Sequence, residues 1–94
     1  MSLDFAKQQG KELLVVEEVV RELNAAREAF PRPFASAHEG FAILKEEVDE
    51  LWDDVRLSQI GDAEHLQHRR DCMRKEAIQV AAMALRFIVE VCDA

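Results

Sequence analysis

Glycine, proline and cysteine are scarce in this sequence: its 94 residues include three glycines, two prolines and two cysteines, and no tyrosine. Three scattered glycines cannot form a glycine-rich phosphate-binding loop. Cys72 and Cys92 lie on one predicted helix, about 30 Å apart at the usual rise per residue, which excludes a disulfide within the chain. Unpaired thiols are typical of a reducing compartment, so we expect a cytoplasmic protein.

Basic residues are also few, with 12 lysines and arginines against 19 acidic residues, a net charge of −7 and an isoelectric point near 4.9. Binding to a polyanion requires clustered cations, so we expect no nucleic-acid partner. No run approaches the roughly 20 apolar residues of a membrane span, and residues 1–10 lack the features of a signal peptide. We therefore expect neither membrane insertion nor export. The length predicts a single domain spanning residues 1–94.

Helical periodicity dominates the chain and predicts an all-α fold of three helices. The first helix ends near Phe30, before a loop enforced by Pro31 and Pro33. Its apolar residues at helical spacing are Leu13, Leu14, Val16, Val19, Val20, Leu23 and Ala26.

Two capping signals mark the starts of the later helices. Ser36, with Glu39 three residues on, predicts the N-terminus of the second helix, which runs to about Arg56. Asp62 predicts the start of a third helix that continues to about Cys92.

The second helix combines an apolar stripe with a dense acidic border. The stripe comprises Phe41, Leu44, Val48, Leu51, Trp52 and Val55, and we expect Trp52 to pack in the core. Glu47, Glu50 and Asp54 share the adjacent border, whereas Glu46 points further out. Like charges so close together repel, so the pattern indicates either a shared cation or an ordinary solvated face.

The third helix gathers its few polar residues after position 75 into one stripe: Glu76, Gln79, Arg86 and Glu90. Its remaining surface is apolar over too much of the circumference for one neighbour, so we expect burial on several sides. A dimer or tetramer whose interface holds paired polar groups would explain this pattern, and it would also be compatible with a site.

If the second and third helices pack antiparallel, Glu47 and Glu50 face Glu76 and Gln79, giving three carboxylates and one amide around a shared space. Such oxygen ligands favour magnesium over zinc. The histidines, His38, His65 and His68, lie away from this group.

These residues carry a family resemblance. The stretch HEGFAILKEEVDELWDDV contains Glu46-Glu47-x-x-Glu50, and KEAIQVAAMALRFI follows from Lys75. Together they resemble the MazG-like all-α nucleoside triphosphate pyrophosphohydrolases, whose signature is EExxE followed by ExxD. The resemblance implies that Glu47, Glu50 and Glu76 bind Mg²⁺, with Mn²⁺ as a possible substitute. It also implies catalytic roles for Glu46 and Glu47 in activating water.

Gln79 occupies the last acidic position of that signature, where its amide oxygen can still bind a hard cation. The implied reaction converts a nucleoside or deoxynucleoside triphosphate and water into the monophosphate and pyrophosphate, a house-cleaning activity on the nucleotide pool. The implied fold is a MazG-like helical bundle completed by oligomerisation, as a homodimer or homotetramer. A nucleotide-binding or helical interaction module with impaired catalysis is the alternative.

Three further residues are candidates for substrate binding: Arg86, His38 and Lys75. For Arg86 a structural role competes, namely an ion pair with Glu39 that locks helix ends together.

Overall fold

The computed structural model describes residues 3–94, with side chains from residue 4 onward, and these residues form three α-helices without a strand. The helices are α1 (Leu3–Ala29), α2 (Ala37–Leu57) and α3 (Ala63–Phe87), and α3 continues into a π-helical turn at Ile88–Cys92. The all-α prediction is thus confirmed. None of the described helices is long and apolar enough to cross a membrane.

Both capping predictions are confirmed. The Ser36 hydroxyl accepts a hydrogen bond from the Glu39 N–H at 3.1 Å, and the Asp62 carboxylate accepts one from the His65 N–H at 2.9 Å. Each bond satisfies an N–H that the first helical turn leaves free. The Glu39 carboxylate accepts from the Ala35 N–H, so the capping box closes one residue earlier than its usual form.

Helix α3 lies in the middle of the fold and packs against both α1 and α2, which hardly touch each other. Glu18 of α1 binds Arg74, and the carbonyl of Phe30, just after α1, binds Arg86. Later residues of α1 thus meet later residues of α3, so the two helices run parallel. Helix α2 runs antiparallel to α3, as expected from the sequence. The described chain measures 43 × 38 × 20 Å, the shape of a single layer of helices.

The core is small and centres on α3. The buried apolar residues are Val19, Leu23, Ala82 and Met83, and Arg86 is the one buried charged residue among those described. Half-buried apolar side chains of all three helices surround them. Residues 78–87 of α3 are buried or half-buried, whereas Ala77, Ile88, Val89 and Cys92 are exposed, so the expectation of burial on several sides is met only in part.

The predicted apolar stripes are only partly buried. On α2, Phe41, Val48, Trp52 and Val55 are exposed, and Trp52 is 60% exposed. The prediction that Trp52 packs in the core is therefore wrong for this chain. The physical reason is that a single layer covers only one side of α2, whereas the wide apolar stripe extends onto the other side.

Helix α1 shows the same pattern over its first two thirds. Leu13, Leu14, Val16 and Val20 are exposed, although their spacing suggested burial with Val19. Val19 reaches the core from this stretch, and these four side chains remain on the surface.

Arg86 fastens the loop between α1 and α2 onto the end of α3. Its guanidinium donates to the Glu90 carboxylate at 2.8 Å and to the carbonyl oxygens of Phe30 and Arg32 at 2.9 and 3.0 Å. Glu90 in turn accepts from the Phe34 N–H at 3.0 Å. These bonds satisfy the buried guanidinium and hold the loop.

The predicted ion pair between Arg86 and Glu39 is wrong in its partner. Glu39 binds Arg32 at 3.1 Å instead. Glu90 lies one helical turn after Arg86 on the same side of the helix, so the two side chains meet through helical spacing alone.

Candidate metal centre and adjoining cavity

Helices α2 and α3 bring Glu47, Glu50 and Glu76 together. One carboxylate oxygen of each residue lies within 4.8 Å of the other two. Glu47 and Glu50 are three residues apart and therefore neighbours on one helix, and the antiparallel packing places Glu76 opposite them. Glu47 and Glu76 are half-buried, and Glu50 is exposed.

Two oxygens of this cluster lack any hydrogen-bond partner among the described residues. They are Oε2 of Glu47 and Oε2 of Glu76, and both are buried. An unpaired buried carboxylate oxygen is unfavourable, since it has lost water without gaining a donor.

The electrostatics follow from this arrangement. Burial, and then the charges of Glu50 and Glu76, raise the pKa of Glu47 to about 7. Burial, followed by the adjacent Glu50 carboxylate and the charge of Asp54, raises the pKa of Glu76. The cluster therefore favours the uptake of positive charge, either as protons or as a cation.

A divalent hard cation fits the donor set. The cluster offers carboxylate oxygens and neither histidine nor cysteine. Given bonds of about 2.1 Å, two oxygens bound to one octahedral Mg²⁺ lie about 3.0 Å apart in adjacent positions and about 4.2 Å apart in opposite positions. The three oxygens, which lie within 4.8 Å of one another, must therefore move closer together to bind one ion.

The other predicted site residues are divided between two cavities and the open surface. Glu46 and Gln79 line a cavity together with Glu47, and Glu46 is exposed. His38 is exposed in the first turn of α2 and lies outside the walls of that cavity. Lys75 is exposed and lines a second cavity, also beside Gln79.

The main cavity has a volume of about 700 Å³ and lies between α1 and α2, with α3 below it. Its apolar walls include Ala25, Ala26, Ala29, Phe34, Ile43 and Met83. Alanine side chains are short, so the end of α1 fills little of the space between the helices. Arg86 also lines the cavity, where it lies over the Phe34 ring at 4.8 Å from the centroid.

The cavity wall on α1 is the part of the site that the sequence reasoning missed. Its signal is the small-residue group Ala25, Ala26 and Ala29 at positions i, i+1 and i+4. Such a group covers one side of a helix with minimal volume. The sequence does not show that α2 lies opposite this group, so it does not predict a cavity there.

The second cavity lies between α1 and α3 and measures about 670 Å³. Arg21, Arg74 and Lys75 contribute its cations, and Glu22 and Gln79 line both cavities. Arg74 already forms two hydrogen bonds to Glu18 at 2.6 and 2.8 Å.

Comparisons with family profiles, with curated proteins and with solved structures find no match to this chain. The resemblance to MazG-like enzymes thus depends on the residues themselves.

Proposed function

We propose that this protein is a Mg²⁺-dependent nucleoside triphosphate pyrophosphohydrolase of the MazG-like type. The observation that carries the proposal is the pair of buried, unpartnered oxygens of Glu47 and Glu76, which face one shared space with Glu50. The resemblance of the EExxE segment supports it. The large cavity beside the cluster also supports it, since a nucleotide needs a pocket of several hundred Å³.

Glu47, Glu50 and Glu76 are the metal ligands in this proposal, and the amide oxygen of Gln79 is a fourth candidate. When bound, Mg²⁺ neutralises phosphate charge and lowers the pKa of a bound water. In this proposal Glu46, which is exposed at the cavity wall, accepts a proton from the attacking water. Glu47 is the second candidate for this base, through a carboxylate oxygen that the cation leaves free.

The assembly we propose is a homodimer or homotetramer. The exposed apolar residues of α2, including Phe41, Val48 and Trp52, lie on one side of a chain only 20 Å thick. Large apolar patches of this kind are typical of protein interfaces. A second layer of helices from another copy would remove them from water.

The direct test is pyrophosphate release from a panel of nucleoside triphosphates in Mg²⁺, in Mn²⁺ and in chelator. We expect metal-dependent release that Glu50→Gln and Glu76→Gln abolish. Asp53→Asn is the matched control, because Asp53 is exposed on the same helix and pairs with Arg56 outside the cluster. It should retain activity.

A second candidate is a binding or assembly module without catalysis, favoured by the amide at Gln79 and by the exposed apolar residues. Absence of release from every triphosphate, by a folded oligomer in either metal, would support this candidate and refute the enzyme.

A further inference from the structure

We propose that the main cavity binds the nucleobase of the substrate and selects cytosine and adenine, through the exocyclic amino group of each, over uracil and hypoxanthine. This inference rests on the proposed function, because it assigns the base end of a nucleotide whose phosphates lie at the acidic cluster. The observation behind it is the distribution of hydrogen-bonding groups along the cavity walls.

At the end of the cavity formed by the loop after α1, the polar side chains already have hydrogen-bond partners. Arg86 is bound to Glu90 and to two backbone carbonyls, and Glu39 accepts from both Arg32 and the Ala35 N–H. A ligand at this end gains mainly apolar and aromatic contact, including the ring of Phe30, which is 72% exposed. An aromatic ring stacks on any base, so it contributes affinity without selecting one.

At the opposite end of the cavity, the polar side chains lack hydrogen-bond partners. Glu22 of α1, Glu46 of α2 and Gln79 of α3 line the cavity, and within residues 4–94 none of these side chains has a hydrogen-bond partner. Glu46 and Gln79 already have roles in the proposed reaction, as base and metal ligand. The carboxylate of Glu22, which accepts hydrogen bonds and cannot donate them when ionised, is therefore the group left for the nucleobase.

Carboxylates in an otherwise apolar wall distinguish bases by their donors. The amino groups of cytosine and adenine donate to a carboxylate, whereas the carbonyl that replaces them in uracil and hypoxanthine would meet it acceptor to acceptor. A site built around a hydrogen bond strongly disfavours the analogue that lacks the donor. Glu22 is the better candidate for this role, because it is half-buried while Glu46 is exposed.

The test uses substrate pairs that differ only in this group: CTP with UTP, and ATP with ITP. We expect kcat/KM to favour the amino-bearing member of each pair by about tenfold or more, the effect of one hydrogen bond to a charged group. In Glu22→Gln the preference should fall about tenfold, since an amide turns to donate to a carbonyl as readily as it accepts from an amino group. Glu17→Gln is the matched control: Glu17 is exposed on the same helix and lies outside both cavities.

Binding of CMP and UMP, measured by calorimetry in chelator, separates this inference from the proposed reaction. Tighter binding of CMP that depends on Glu22 would support the base site even if no triphosphate were hydrolysed. Hydrolysis with equal kcat/KM within each pair, or a preference that Glu22→Gln leaves unchanged, would overturn the base site and leave the enzyme standing.

Discussion

Replacing Glu47 by glutamine should stabilise the metal-free protein at alkaline pH. The pKa of this carboxyl rises from 4.5 to about 7 on folding. At about 1.4 kcal/mol per pH unit, this corresponds to roughly 3 kcal/mol of unfavourable free energy when the group is ionised. Because the side chain is only half-buried, solvent screening reduces the expected value to about 1–2 kcal/mol.

The sign follows from proton linkage. Between pH 4.5 and about 7 the folded state holds the proton of Glu47 more tightly than the unfolded state does, so stability falls as pH rises through this window. The penalty is absent below pH 4.5 and complete above pH 7. Glutamine cannot ionise, so the variant loses this part of the pH dependence.

The assay is urea unfolding in chelator at several pH values from 4.5 to 8, on wild type, Glu47→Gln and Glu28→Gln. Glu28 is exposed on α1 and serves as the control for a lost charge. We expect the free energies of unfolding of wild type and Glu47→Gln to converge at pH 4.5. At pH 8 the variant should be more stable by about 1–2 kcal/mol. Excess Mg²⁺ at pH 8 should then stabilise wild type more than Glu47→Gln. A Glu47→Gln protein that is less stable than wild type at pH 8 in chelator would refute the reasoning.

Four further substitutions test the packing. Leu23→Ala should lower the free energy of unfolding by about 2–4 kcal/mol in urea, since Leu23 is 4% exposed in the core. Gly40→Ala should destabilise by about 1–3 kcal/mol, because the new Cβ would lie 2.8 Å from the Phe87 ring, whereas Gly10→Ala meets open space and should raise the melting temperature. Arg86→Met should lower the free energy of unfolding by about 1–3 kcal/mol in urea, because the carbonyls of Phe30 and Arg32 lose their donor, while Glu90 keeps the Phe34 N–H and Arg27; unchanged stability would contradict the proposed fastening of the loop.

Local features of the fold were predictable from the sequence because they depend on neighbours along the chain. The starts of α2 and α3 follow from Ser36 and Asp62, whose side chains bind N–H groups three residues away. The proximity of Glu47 and Glu50 follows from helical spacing alone. Antiparallel packing of α2 and α3 was assumed in order to place Glu76 beside Glu47 and Glu50. The structure has that packing and brings the three residues together.

The features that escaped prediction depend on tertiary arrangement. The sequence shows that Trp52 lies on an apolar stripe, but which side of the stripe meets another helix is decided by how the layer is built. The partner of Arg86 is an exception. Glu90 lies four residues after Arg86 in the same helical stretch, so helical spacing could have predicted this pair.

The central position of α3 also has a consequence for the order in which the protein folds during synthesis. Helices α1 and α2 hardly touch each other, and each packs against α3, which begins only at Ala63. An isolated helix of moderate length is marginal in water without tertiary packing. The ribosome must therefore release most of α3 before the earlier helices find a surface to pack on, so cooperative folding is delayed until late in translation. Until then, the apolar side chains of α1 and α2 remain open to chaperones.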